Sequence, residues 1–334
     1  MATINEVAKL AGVSKATVSR VLNKRPVNEE TRRKVMNAIR ELNYQPNAQA
    51  RGLSLRQARI IGLIAPDFQG VFYGPVVMGI EQVLQRNDFN LIVSRVQSKE
   101  YQLAKMLKEK KVDGLIIATP RRIGEKAILA LKKDNFPIVV IDGNVGEQVS
   151  SVEINSYLGA FQATEHLIKL GHTRIGVISG PSSYKESQER LLGYKDALQK
   201  YNLPFEQELV SEGGDYLLAS GEREMAGLLA LPSPPTAVFA FSDLMAIGAI
   251  HCLLKKGLSV PKDMAVVGFD DSFVAQTFYP PLTTVRQPML EMGVVAARKM
   301  LAMLSGEETE VTHVVLQTSL VVRASCGAVH QHQA

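Results

Sequence analysis

From Ile60 onward, short apolar runs alternate with segments of helical period, and this alternation limits the architecture more than any other feature of the chain. The runs are Ile60 to Ala65, Leu91 to Val93, Leu115 to Ala118, Ile138 to Ile141, Ile175 to Ser179, Ala237 to Phe241 and Ala265 to Phe269. Helical patterns of about 10 to 17 residues lie between them, as βα units require. Strands that read as continuous apolar runs, without period-two alternation, belong to parallel sheets covered on both faces. Seven such strands predict an α/β domain with two open sheets. Ligands of such sheets bind beyond the carboxyl ends of the strands, so a cleft between two lobes is the expected site.

The first sixty residues have a different character. They hold twelve Lys/Arg against four acids, whereas the other 274 residues carry 26 against 29. So sharp a basic bias in a short segment points to a polyanion-binding module. Cys252 and Cys326 are too few and too distant in sequence for a disulfide framework or a Cys-rich metal site, and a reducing compartment is expected. No segment approaches the roughly 20 uninterrupted apolar residues that span a bilayer, and no export signal is visible. The expected location is cytoplasmic, with no membrane partner and no cofactor.

Within the basic segment the pattern predicts three short helices. Ile4, Val7, Ala8 and Ala11 share one face, and Gly12 ends the first helix as a residue that tolerates positive φ. Ser14 is placed to cap the second, whose inward positions are Val18, Val21 and Leu22; Lys15, Ala16, Thr17, Ser19 and Arg20 are left for the other side. Asn28 caps the third, with Val35, Met36, Ile39 and Leu42 as its expected buried stripe. Two short helices about a Gly-containing turn, the second polar or basic outside and free of acids, form a helix-turn-helix whose second helix fits the major groove.

The string Ile4-Asn5-Glu6-Val7-Ala8, then Ala11-Gly12-Val13-Ser14 and Thr17-Val18-Ser19-Arg20-Val21-Leu22-Asn23, resembles the headpiece of the lactose/galactose repressor (LacI/GalR) family. The likeness continues through Thr31-Arg32, Leu42-Asn43-Tyr44, Pro46-Asn47 and Ala50-Arg51-Gly52-Leu53, and across nearly the whole chain. It implies a three-helix headpiece in residues 1–45, a hinge helix in 46–59, and a two-lobed, periplasmic-binding-protein-like effector and dimerisation domain in 60–330. Lobe 1 would hold about 60–155 and 288–317, and lobe 2 about 156–287 and 318–330. Lys15, Ala16 and Arg20 would face base edges, Arg20 with the fork that reads guanine. Thr17, Ser19 and Asn23 would hold phosphates, and Ser14 would either touch DNA or only cap. Asn47 opens the hinge, Ala50 lies within it, and Leu53 matches a minor-groove wedge; packing on the core is the other reading of Leu53.

The resemblance also assigns effector contacts. Phe72, Asp142, Arg190, Asp270 and Gln287 match positions the family uses, with Tyr73 and Ser242 beside them; Asp67 and Asp271 also follow strand runs. Asp142 and Asp270 each end an apolar run, and Arg190 is taken to open the helix after another. Carboxylates with a guanidinium suit a polyhydroxyl ligand, and aromatic faces cover a sugar ring or a base. Ser242 departs from the family, which places Asn before the Asp of Asp243-Leu244-Met245-Ala246-Ile247-Gly248; a hydroxyl does not reproduce an amide's paired donor and acceptor. Asp243 reads equally as a helix cap. No G-x-G-x-x-G, phosphate loop, nucleophile elbow or zinc-type His cluster argues for an enzyme. The expectation is a homodimeric repressor on a pseudo-palindromic operator, controlled by a sugar or sugar derivative. A nucleobase corepressor, a protein coeffector and a periplasmic-type solute-binding protein are the alternatives.

Overall fold

The computed structural model describes residues 2–22, 26–44, 58–65, 71–95, 112–118, 123–132, 136–143 and 145–328. The chain divides into two compact units, Met1–Arg59 and Ile60–Ala334.

The smaller unit is built from α1 (Ile4–Ala11), α2 (Lys15–Leu22) and α3 (Glu29–Glu41). A reciprocal box starts α1: the Glu6 N–H donates to Thr3 Oγ1 and the Thr3 N–H to Glu6 Oε2, filling donors that a helix start leaves open. Gly12 ends it at φ 64°, a left-handed conformation in which an L side chain would be strained. Val7, Ala8, Ala11, Val18, Val21, Val35 and Ala38 form the core. Here one expectation fails. Met36 is 41% exposed, and Ala38 takes its place in the α3 stripe, because Val35, Ala38, Ile39 and Leu42 follow the i, i+3, i+4, i+7 spacing while Met36 is turned about 100° from Val35.

The larger unit holds two sheets. The first contains β1 (Ile60–Ala65), β2 (Asn90–Arg95), β3 (Gly114–Ile117), β4 (Ile138–Ile141), β5 (Ser150–Ile154) and β11 (His313–Leu316) in the order β11-β5-β4-β3-β1-β2, every pair parallel. The second contains β6 (Ile175–Ile178), β7 (Val210–Ser211), β8 (Ala237–Ala240), β9 (Ala265–Asp270), β10 (Thr283–Arg286) and β12 (Ser319–Val321), ordered β12-β10-β9-β8-β6-β7, with only β10 and β12 antiparallel. Strands β3, β4, β6 and β8 are buried along their whole length, as helices on both faces require.

Helices α4 (Tyr73–Arg86) and α11 (Met289–Ser305) pack on each other, and α11 also covers β3, β4 and β5. Their approach is close: a Cβ on Gly79 would sit 2.1 Å from the Leu290 carbonyl oxygen, and one on Gly293 2.1 Å from that of Val76. In the second lobe, α6 (Ser156–Lys169) packs on α7 (Lys185–Lys200), and α8 (Leu218–Leu229) on α9 (Asp243–Lys255). The short α5 (Glu125–Lys132) precedes β4, and α10 (Phe273–Thr277) follows β9.

The chain passes between lobes after β5, after β10 and after β11. Hydrogen bonds tie these passages together: the Asn155 N–H donates to Leu316 O at 2.9 Å, and the Thr318 hydroxyl to Asn155 O at 3.2 Å. Cys252 and Cys326 are free and buried. Among the described residues no helix is long and apolar enough to cross a membrane.

Candidate functional site

In the headpiece, α2 carries the outward set. Lys15, Ala16 and Arg20 are exposed, Thr17 and Ser19 are half-buried, and Val18 and Val21 anchor the opposite side in the core. Ser14 caps the helix: the Thr17 N–H donates to its Oγ at 3.1 Å, and the two hydroxyls lie 2.9 Å apart. The cap fixes the first turn of α2, from which Lys15 and Ala16 project. Asn23, Asn47, Ala50 and Leu53 lie outside the described residues, as does Asp67.

In the larger unit, the carboxyl ends of the second sheet bring Arg190, Ser242, Asp270 and Gln287 into one buried cluster. Arg190 is 4% exposed. It is the sixth residue of α7, not the residue that opens it, because the helix begins at Lys185. Its Nη1 donates to Phe241 O at 2.5 Å, and its guanidinium lies 3.7 Å from the centroid of the Phe269 ring, a cation–π stack that holds the plane in place. Asp270 ends β9 with φ 140°. Its Oδ1 accepts from Gln287 Nε2 at 2.6 Å, and its Oδ2 from the Asp243 N–H at 3.3 Å.

Ser242 caps α9, its Oγ accepting from the Met245 N–H at 3.2 Å. Asp243, fully buried, is not that cap but the first residue of α9, and its carboxylate serves elsewhere. Its Oδ2 accepts from the Ser272 N–H and hydroxyl and its Oδ1 from the Thr284 hydroxyl, so one carboxylate binds together the loops after β8 and β9 and the strand β10. The room for it comes from Gly268, where a Cβ would lie 2.5 Å from Asp243 Oδ1.

On the first lobe, Asp142 follows β4 at φ 57°, its N–H donating to Val152 O at 3.1 Å. Phe72 and Tyr73 meet edge to face at the start of α4, centroids 5.0 Å apart. The Tyr73 hydroxyl donates to Ala118 O at 3.1 Å, tying α4 to the end of β3. In the second lobe, Tyr216, in the loop before α8, stands beside Arg190. Its ring lies 5.9 Å from the Arg190 guanidinium, and its hydroxyl shares a hydrogen bond with Ser187.

The electrostatics follow from burial. Desolvation pushes the Asp270 carboxyl well above the usual carboxylate range; the charge of Asp243 adds to this, and Arg190 opposes it. Burial also raises Asp243, and it raises the Tyr216 hydroxyl, with Glu186 and Asp142 contributing in the same direction and Arg190 against. Two atoms in the cluster, Arg190 Nε and Gln287 Oε1, are buried without a hydrogen-bond partner among the described residues. Orphaned polar atoms are costly, and a ligand carrying both an acceptor and a donor would satisfy them.

Tyr216 and Ser187 are the residues that sequence reading missed. Tyr216 follows β7, a two-residue strand with no visible apolar run, and the signal available was its setting in Gly213-Gly214-Asp215-Tyr216.

Residues 3–47 match the family described as bacterial regulatory proteins, lacI family, and residues 164–326 the periplasmic binding protein-like domain. The repressor PurR of Actinobacillus pleuropneumoniae serotype 3 is 38% identical over 315 residues, covering 93% of each chain. The chain belongs to the LacI family. Two solved family structures extend the likeness to the whole fold. The lac repressor dimer bound to operator and the anti-inducer ONPF matches with TM-score 0.84 at 30% identity, covering 97% of this chain and 99% of that one. The complex of the transcriptional regulator CelR with cellobiose matches with TM-score 0.74 at 36% identity, covering 97% and 100%. As a LacI-family member, the chain is a DNA-binding transcriptional repressor.

Proposed function

We propose that the effector of this LacI-family repressor is a neutral sugar or sugar derivative, held between Asp142 on one side and Arg190, Tyr216, Asp270 and Gln287 on the other. The observation that carries this reading is the pair of buried, unpartnered atoms Arg190 Nε, a donor, and Gln287 Oε1, an acceptor. A hydroxyl both accepts and donates, so a polyol satisfies the two atoms without bringing a charge into a cluster already holding two carboxylates and one guanidinium. The similarity to the CelR–cellobiose complex supports the same class. In this reading Lys15, Ala16 and Arg20 read bases and the segment 46–59 acts as a hinge, with occupancy of the cleft biasing whether the paired headpieces engage DNA. A ligand does so only by binding the two lobe arrangements unequally.

Calorimetry against neutral mono- and disaccharides, uronic acids and free nucleobases tests the proposal. Binding of a neutral sugar, lost in Arg190→Ala while operator binding is retained, is the expected result. Binding of a nucleobase alone, or an operator response to a protein coeffector with no small molecule bound, would overturn it.

A further inference from the structure

Away from the cluster around Arg190, an ion pair spans the two lobes among the described residues. Glu153 lies near the end of β5 in the first sheet, one residue before the chain begins its passage to the second lobe. Lys185 is the first residue of α7 in the second lobe, and its Nζ meets Glu153 Oε2 at 2.5 Å. The glutamate is almost buried and its other oxygen is engaged: the Ser151 hydroxyl donates to Oε1 at 3.0 Å and lies 2.9 Å from Nδ1 of His313, the residue paired with Ser151 across β5 and β11. The anion is therefore preset by its own sheet. The lysine differs, being half exposed, with a second carboxylate on its own helix: Glu189, one turn on, at 3.4 Å.

We infer that Glu153 and Lys185 form an electrostatic latch between the lobes, with Glu189 as the partner that keeps Lys185 when the lobes part. A nearly buried anion held by its own sheet, facing a half-exposed cation that has a second carboxylate within reach, makes a contact that exists in one lobe arrangement and not in the other. Such a contact biases a two-state equilibrium. Because Lys185 retains Glu189 and Glu153 gains water on separation, opening does not strand an unpaired buried charge, which would cost far more than the pair contributes. The latch is thus weak and adjustable. Glu189 sets its strength in the opposite sense, since it competes for the same ammonium and repels Glu153 when the latch is closed. This inference is independent of which effector the cleft holds.

The test is the interlobe distance distribution of the full-length repressor without effector, by single-molecule energy transfer between dyes on Lys126→Cys and Gln199→Cys, one labelled protomer per dimer. Lys185→Met and Glu153→Gln should each raise the separated population several-fold, and high salt should move the wild-type protein the same way. Glu189→Gln should lower it. The exchange Glu153→Lys with Lys185→Glu, made in the Glu189→Gln background so that no like charge faces the new glutamate, should recover most of the closed population. Unchanged distances in both single variants, with thermal unfolding showing them folded, would overturn the inference. So would a shift of Glu189→Gln in the same direction as Lys185→Met.

Discussion

Gln287 donates its side-chain amide to Asp270 Oδ1 at 2.6 Å and in doing so leaves its own carbonyl oxygen buried without a partner among the described residues. The arrangement favours a ligand over stability. Burial raises the Asp270 carboxyl, so the folded chain holds that proton to higher pH than the unfolded one; the associated stability is full below the unfolded pKa and is lost as pH rises through the folded value. At neutral pH Asp270 is therefore a burden. Asp270→Asn removes the buried titratable group, and a flip of the Gln287 amide lets its carbonyl accept from the new side chain. The variant should unfold a few degrees higher at neutral pH, about 1 kcal/mol more stable, with the gain shrinking toward acid pH and effector binding lost. A lower melting temperature at pH 7 would show that the charge is compensated in the fold.

The contact between α4 and α11 supports a second prediction. Alanine is the better helix former by about 1 kcal/mol. At Gly79, however, its Cβ would fall 2.1 Å from one backbone atom and 2.9 Å from another, and backbone does not rotate away as a side chain does. Gly79→Ala and Gly293→Ala should each destabilise the larger unit by about 1–3 kcal/mol in urea unfolding, the range for overpacking, while the isolated headpiece unfolds as before. A gain in stability would show that the helices can separate cheaply.

The pattern of apolar runs made the parallel strands legible because strands covered on both faces have little choice but Val, Ile, Leu and Ala. The same logic hid β5. Its Ser150-Ser151-Val152-Glu153-Ile154 reads as polar, yet it is buried throughout, and its polar side chains are accommodated by hydrogen bonds from β11 and its neighbours that no local pattern reveals. Strand β7, two residues long, and β12, three, were too short to carry a period. In the candidate site, Asp270 and Gln287 were picked out by position and resemblance, and the structure joins them by a hydrogen bond. The joining role of Asp243 was not, because Ser272 and Thr284 reach it only after β9 and β10 pair. Met36 was misplaced since a hydrophobic residue beside a stripe looks like part of it until the third helix is seen docked.

Glu165 predicts a pH dependence of the opposite sign. Its carboxylate accepts from Lys169 at 2.8 Å, Lys200 at 2.7 Å and the Tyr201 hydroxyl at 3.1 Å, joining α6 to α7. These bonds bring its pKa down from 4.5 to about 2. A lowered carboxylate contributes stability that is present above the unfolded pKa and disappears as pH falls through the folded one. Glu165→Gln should cost about 1 kcal/mol at pH 7, a value kept small because both lysines are half exposed and screened. The difference from wild type should close between about pH 4.5 and pH 2. A difference that persists at pH 2 would assign the effect to packing.

On DNA, Arg20 and Ser14 should separate reading from positioning. Arg20 stands exposed on α2 with Val21 buried beside it, so truncating it removes a guanidinium fork without touching the headpiece core. Arg20→Ala should weaken the operator by roughly 1–3 kcal/mol and flatten preference at one base pair per half-site, leaving the others intact. Ser14 acts through the helix. Without its oxygen the Thr17 N–H loses its acceptor, so Ser14→Ala should cost the headpiece about 1 kcal/mol of stability and lower affinity for all sequences alike. Titrating a panel of single-base operator variants against both proteins at two salt concentrations checks the contrast. If Arg20→Ala reduces affinity uniformly and lowers the salt slope by about one, the guanidinium holds a phosphate, and base reading falls to Lys15 and the backbone-proximal surface at Ala16.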